Sequence, residues 1–210
     1  MAEINMGLRR ILTHPLVYRG LRDVLGLNRW LRQYVNIYIR PQPGDRILDI
    51  GCGTGEIVRY LPGVTYVGVD KNRPYINSAS QKFGDLGRFV CADVADYIDE
   101  FGGEFDIVTA NGLLHHLDDD LAYRLFEIGN TVLKKGGRMV TVDPCYFDGQ
   151  SRLTRFVVSK DRGQNVRRQE EYAMLAKNTF AEVSNQLWHG YIPIPFSVSI
   201  VECRNTKAIT

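Results

Sequence analysis

The sequence predicts an α/β protein whose core is a set of parallel βαβ units. Three observations carry that reading. Short apolar, often β-branched runs alternate with helical stretches from Arg46 onward. Glycine-rich turn signals separate them, and the last two apolar runs are joined too closely for a crossover helix. Alternating strands and helices pack as parallel strands with right-handed crossovers, since a twisted strand feeding a helix returns to the sheet most readily that way.

Before this alternation, apolar residues recur at three- and four-residue steps between Leu8 and Ile39, with Gly26 and Asn28 dividing two helices. Pro41 and Pro43 end the pattern, because proline lacks the amide donor and disfavours helix in its predecessor. Strands are then expected at 46–50, 65–69, 88–91, 105–110 and 138–143, with helices at 56–61, 74–83 and 121–133 between them. Turns fall at 51–55, Pro62-Gly63, Gly102-Gly103 and Gly136-Gly137. A polar, arginine-containing stretch and a helix at 169–180 follow. Strands at 182–188 and 198–203 close the chain, and their short connection predicts antiparallel pairing.

Composition excludes several classes. With 210 residues, 44% hydrophobic and 24% charged, the chain is long enough to bury a core without staples. Cys52, Cys91, Cys145 and Cys203 lie far apart, with neither a C-x-x-C pair nor zinc-ligand spacing, so no metal and no disulfide framework is expected. A reducing, cytoplasmic setting fits. No apolar run reaches the length of a secretion signal or a membrane span. Charge is uneven: eight basic against three acidic residues up to Arg46, nine against sixteen from there to Gln150, nine against five beyond. Basic flanks around an acidic centre are ordinary solvated surface or a device that attracts an anionic substrate.

The chemistry centres on Leu48-Asp49-Ile50-Gly51-Cys52-Gly53-Thr54-Gly55. Alternate glycines after a buried strand let the backbone turn tightly and approach a ligand, and the helix start beyond presents unpaired amides. Glu56 stands where a dinucleotide fingerprint has its third glycine, so the pyrophosphate turn of the NAD proteins is not matched. Asp49 would repel a pyrophosphate but welcome an ammonium, so the bound group is expected to be cationic or zwitterionic, as the amino-acid end of methionine is. Asp70 ends the next strand, where an acid can hydrogen-bond ribose hydroxyls. Asp93 follows the third strand and can accept from an exocyclic adenine amine.

Together with Val69-Asp70, Ala92-Asp93, Phe105-Asp106-Ile107-Val108, Asn111-Gly112-Leu113-Leu114-His115-His116-Leu117 and Leu133 to Arg138, these segments resemble the class I S-adenosylmethionine-dependent methyltransferases over roughly half the chain. The resemblance implies a Rossmann-like seven-stranded sheet in the order 3-2-1-4-5-7-6, with the last strand antiparallel. It implies S-adenosyl-L-methionine as cofactor, with Gly51, Gly53 and Asn111 at the methionine moiety, Asp70 on the ribose, and Asp93 with Val94 at the adenine. Asp49, Cys52, Gly55 and Lys71 join that cofactor set from the same turns. Residues 1–43 are expected to form an N-terminal helical lid, with Tyr18 and Arg22, one turn apart, closing over the ligand. Residues 44–210 then form the methyltransferase domain, with an acceptor-site insertion near 145–180.

An activated sulfonium demands mainly proximity and orientation from the protein. A general base matters where the nucleophile must lose a proton, and His115 or His116, Asp143 and Tyr146 are the candidates by position. Arg155, Arg162 and Arg167 are expected to grip an anionic small-molecule acceptor. Oxygen is the first choice of acceptor atom, then nitrogen or carbon. Cys145 follows the wrong strand for the thiolate of cytosine-C5 methyltransferases and reads as structural. Asn111-Gly112-Leu113-Leu114 lacks the Pro-Pro-aromatic element used on extruded bases, so no nucleic-acid substrate is expected. The alternatives are a noncatalytic S-adenosylmethionine-binding protein of the same fold and a nucleic-acid methyltransferase.

Overall fold

The computed structural model describes residues 26–97, 104–189 and 195–205. Seven strands form one sheet: β1 (Arg46–Ile50), β2 (Thr65–Asp70), β3 (Arg88–Cys91), β4 (Phe105–Asn111), β5 (Leu133–Pro144), β6 (Glu182–His189) and β7 (Ser197–Arg204). Their order is β3-β2-β1-β4-β5-β7-β6. All neighbours pair parallel except β7, which runs antiparallel to both β5 and β6.

The helices are α1 (Leu27–Tyr34), α2 (Arg73–Phe83), α3 (Val94–Tyr97), α4 (Asp119–Val132), α5 (Arg152–Val158) and α6 (Gln169–Lys177). They cover both faces, which is why the strands read as near-continuous apolar runs. Side chains alternate between two cores: Leu48, Val67, Val108 and Met139 pack with Leu125, Phe126 and Tyr172 on one face. Ile47, Tyr66, Ile107 and Val140 pack with Tyr34, Val35 and Ile39 on the other.

Three elements differ from the sequence expectation. The segment after the glycine turn is a 3₁₀ helix, Glu56–Tyr60, because Gly55 at φ 70° and Pro62-Gly63 leave room for little more than one turn. Gly136-Gly137 does not end an element. β5 already pairs with β4 at Leu133, and the strand continues through Gly136 at φ 79° as an irregularity in register. α5 was not legible as a helix, although Ser151 caps it by accepting from the Thr154 amide at 3.1 Å.

The helical segment after Gly26 changes pitch. α1 continues as a π-helical turn over Val35–Ile39 and stops at Arg40, whose φ is 44°. Arg138 of β5 donates to the carbonyls of Ile39 and Arg40, and Arg40 forms a two-oxygen ion pair with Glu202 of β7. These contacts satisfy the helix end and fix the rotation of α1 over the carboxyl edge of the sheet.

Candidate active site

A cavity of about 300 Å³ opens at the carboxyl ends of β1 and β4, walled by Asp49, Gly51, Gly53, Asn111 and, from α1, Trp30 and Leu31. Open α/β sheets bind ligands at this edge, where the strand order reverses. Gly51, Gly53 and Gly55 have φ of 72°, 55° and 70°, values that a side chain would strain. The Gly51 and Cys52 amides both donate to the Val69 carbonyl, at 2.8 and 3.1 Å, which ties the turn to β2. Gly68 lets Cys52 pack beneath it, since a Cβ there would stand 2.8 Å from the Cys52 sulfur.

Asp49 is 2% exposed. Its Oδ2 accepts from the Tyr66 hydroxyl at 2.6 Å, while its Oδ1 is buried without a partner. Burial pushes its pKa up to about 7; the Tyr66 hydrogen bond opposes that and the Asp70 charge adds to it. A buried carboxylate oxygen left open in a cavity wall suits a donor brought by a ligand, and an ammonium above all.

Asp70, at the tip of β2, holds the turn. Its Oδ2 accepts from the Gly53 amide at 2.9 Å and its Oδ1 from the Asn72 amide at 2.7 Å. Each oxygen keeps a second lone pair for an added hydroxyl. At the tip of β3, Asp93 accepts from the Ala95 amide at 3.1 Å and from the Lys71 ammonium at 2.7 Å, so Lys71 and Asp93 meet across the strand ends beside Val94. The Lys71 ammonium holds the Asp93 carboxyl below its usual range.

Asn111 lines the cavity from β4, and its side-chain oxygen accepts from Tyr34 at 2.6 Å and Thr109 at 3.0 Å. That fixes the amide so that its NH₂ is the group turned elsewhere. Tyr34 itself stacks on Trp30 at 5.4 Å, and Trp30 stacks on Trp188 at 5.2 Å. The sequence pattern marked Tyr34 and Trp30 only as part of a helix. Their place at the site comes from contacts far apart in sequence, Tyr34 with Asn111 and Trp30 with Trp188, which no local residue pattern reveals.

The candidate bases and cations separate into two groups. His115 is buried, with Nδ1 2.7 Å from Asp143 Oδ1 and Nε2 3.1 Å from Asp161 Oδ1. Burial works against its charge, but the two carboxylates outweigh it and push the imidazole up to about 9. Both imidazole nitrogens are thus engaged by acids. Asp143, 1% exposed, also accepts from the His115 amide at 3.2 Å through Oδ1, while its Oδ2 is buried without a partner. Asp161 was missed because its partner lies 46 positions away, and only the folded insertion brings them together.

Arg167 is likewise held within the fold. Its Nε and Nη2 bond Asp119, and its remaining donors reach the carbonyls of Leu114, Leu117 and Asn165 at 2.8 to 3.2 Å. All five guanidinium hydrogens are engaged, so none is left for an acceptor. His116 is exposed, its ring 4.1 Å from that of His115. Tyr146 is half-buried with the Arg155 guanidinium 5.2 Å from its ring centre, and Arg155 and Arg162 are exposed. Cys145 is fully buried and its thiol is pushed up to about 12 by burial, as suits a packing residue. Tyr18 and Arg22 lie outside the described residues.

Residues 47–137 match a family described as methyltransferase domain. The chain is 31% identical over 122 residues to a probable fatty acid methyltransferase of Mycobacterium tuberculosis, covering 56% of this chain and 28% of that protein. It is 30% identical over 159 residues to the cypemycin N-terminal methyltransferase of a Streptomyces species, covering 71% of this chain and 62% of that one. The chain thus spans less than two thirds of the length of these curated relatives. In fold it resembles a solved SAM-dependent methyltransferase of Archaeoglobus fulgidus, with a TM-score of 0.71, 17% identity, and 89% and 98% of the two chains covered. Residues 47–137 thus match a methyltransferase domain, set in a sheet whose strand order gives the chain the fold of a solved SAM-dependent methyltransferase.

Proposed function

We propose that this chain binds S-adenosylmethionine in the crevice above β1 and catalyses transfer of its methyl group to a small-molecule acceptor. The observation that carries the reading is the buried, unpartnered Oδ1 of Asp49 in the cavity wall. An orphaned carboxylate oxygen costs about 1 to 3 kcal/mol unless a donor reaches it, and the ammonium of the methionine moiety is such a donor.

On this reading Asn111, with its amide fixed by Tyr34 and Thr109, orients the same moiety. Asp70 accepts the ribose hydroxyls while keeping its hold on the Gly53 amide. Asp93 and Val94 meet the adenine. When bound, the cofactor supplies an already activated sulfonium methyl. The protein's part is then to hold the acceptor in line, exclude water, and take a proton where the acceptor has one to lose.

His116 and Tyr146 remain as candidate bases, and Arg155 and Arg162 as cations for an acidic acceptor. Oxygen is the leading acceptor atom, with nitrogen or carbon as the alternatives.

Incubation with radiolabelled S-adenosylmethionine and fractionated small-molecule extract tests the proposal, with label expected in a low-mass product. Binding with no transfer to any fraction would make this a cofactor-binding protein without catalysis. Label in RNA or DNA would move the acceptor to nucleic acid.

A further inference from the structure

The insertion between β5 and β6 presents an unusual face. On α5, Leu153 and Phe156 stand one helical turn apart and are 61% and 59% exposed, while Val158 is fully buried and anchors the opposite side. Arg152, Arg155, Lys160 and Arg162, on α5 and the turn after it, are all exposed. The Lys160 ammonium lies 5.1 Å from the Phe156 ring centre. Asp161 is the one acid between residues 149 and 168, and it is turned inward onto His115. Within residues 149–168 the outward surface therefore combines two apolar side chains with basic ones, and the exposed carboxylates that flank it, Asp148 and Glu170, are paired with Arg168.

This face is held in place. Asn165 donates to the His115 carbonyl at 2.9 Å, and Gly163 lies so close to His115 that a Cβ would overlap its ring. His115 follows β4, so the latch fastens the insertion at the carboxyl edge of the sheet, the edge that carries the cofactor crevice.

We propose that α5 docks this protein on an anionic lipid surface, and that the acceptor is an amphiphile drawn from that surface. Charge complementarity selects this occupant: apolar side chains enter the headgroup region while guanidinium and ammonium groups meet lipid phosphates. A second copy packed symmetrically on the same face would set four cations against four cations. Among the described residues no helix is long and apolar enough to cross a membrane, so the contact is peripheral. The acceptor half of the proposal rests on the methyl-transfer reading, whereas the docking half stands without it.

Flotation of the full chain with vesicles tests it, using phosphatidylcholine alone and phosphatidylcholine with about one third phosphatidylglycerol. Binding is expected only to the anionic vesicles, weakening as salt is raised. The double variant Leu153→Ser, Phe156→Ser should lower the bound fraction by about tenfold. Calorimetric affinity for S-adenosylhomocysteine and the thermal melt should be unaltered, which shows that the variant is folded. Equal binding to both vesicle types, binding to neither, or full binding by the double variant would overturn the docking. So would a dimeric mass in gel filtration that the double variant abolishes, since the face would then cover a second copy. Vesicle binding without any heat from S-adenosylhomocysteine would leave the docking intact and sink the methyl-transfer reading. For the acceptor half, lipid extract and water-soluble extract are offered separately with radiolabelled cofactor. Label in the lipid fraction is expected, and label confined to water-soluble products would overturn that half.

Discussion

The Tyr66 hydroxyl donates to one oxygen of Asp49 at 2.6 Å and leaves the other oxygen facing the cavity wall with no partner. One bond therefore aims the carboxylate and keeps part of its charge available. The raised pKa of Asp49, about 7 against an ordinary 3.8, means that the folded protein holds an extra proton between those values. Stability of the ligand-free protein should then fall as pH rises from about 4 through 7. Affinity for S-adenosylhomocysteine, whose ammonium needs the ionised acid, should rise over the upper part of that range. Tyr66→Phe should move the binding inflection to higher pH, and Asp49→Asn should abolish it. Calorimetry at a series of pH values reads all three, and a flat profile for the wild type would sink the assignment.

Asp70 joins the glycine turn to the expected ribose position by accepting from Gly53 and Asn72. Asp70→Ala should weaken cofactor binding by about 1 to 3 kcal/mol, roughly the cost of leaving hydrogen-bonding groups unpaired. Isothermal titration with S-adenosylhomocysteine measures it. An unchanged dissociation constant would remove Asp70 from the site.

Most strands were legible because an apolar run meets a turn signal and both are local, but the start of β5 was not, since Gly136-Gly137 lies inside it. Asp49, Asp70 and Asp93 were legible for the same reason: each is the last polar residue before a turn, and strand tips converge on one edge. What escaped depends on distance. Tyr34 reaches Asn111 across 77 positions, and Asp161 reaches His115 across 46, so neither partner could be named from spacing. The three carbonyls around the Arg167 guanidinium were hidden too, because composition shows the charge and not its partners. The two acids that flank His115 were hidden in the same way.

Arg167 ties the β4–α4 connection to the insertion, bonding Leu114, Leu117 and Asp119 on one side and Asn165 on the other. Arg167→Met keeps much of the side-chain volume but leaves those carbonyls without their donor. A loss of about 2 to 4 kcal/mol is expected in urea denaturation, since hydrogen bonds to a charged group are the stronger kind. Arg162→Met, at an exposed position, should stay within about 0.5 kcal/mol of wild type. Equal effects of the two substitutions would refute the distinction between clamp and surface cation.

His115 predicts a pH dependence of opposite origin to that of Asp49. Its folded pKa, raised to about 9 from 6.5 by Asp143 and Asp161, lies above the unfolded value, so the folded state binds the extra proton. The resulting stabilisation is complete below pH 6.5 and is lost as pH rises through 9. Asp161→Asn removes one of the two charges while its amide oxygen can still accept from the Gly163 amide, as Asp161 does at 2.8 Å. The imidazole should then titrate at lower pH, so the alkaline loss of stability should be smaller and complete at lower pH. Amide exchange over residues 159–166 should quicken in the variant at pH 8, where the wild-type latch still holds. An imidazole titration that does not move, followed by NMR, would show that Asp161 does not share the proton's field and that the latch rests on backbone contacts alone.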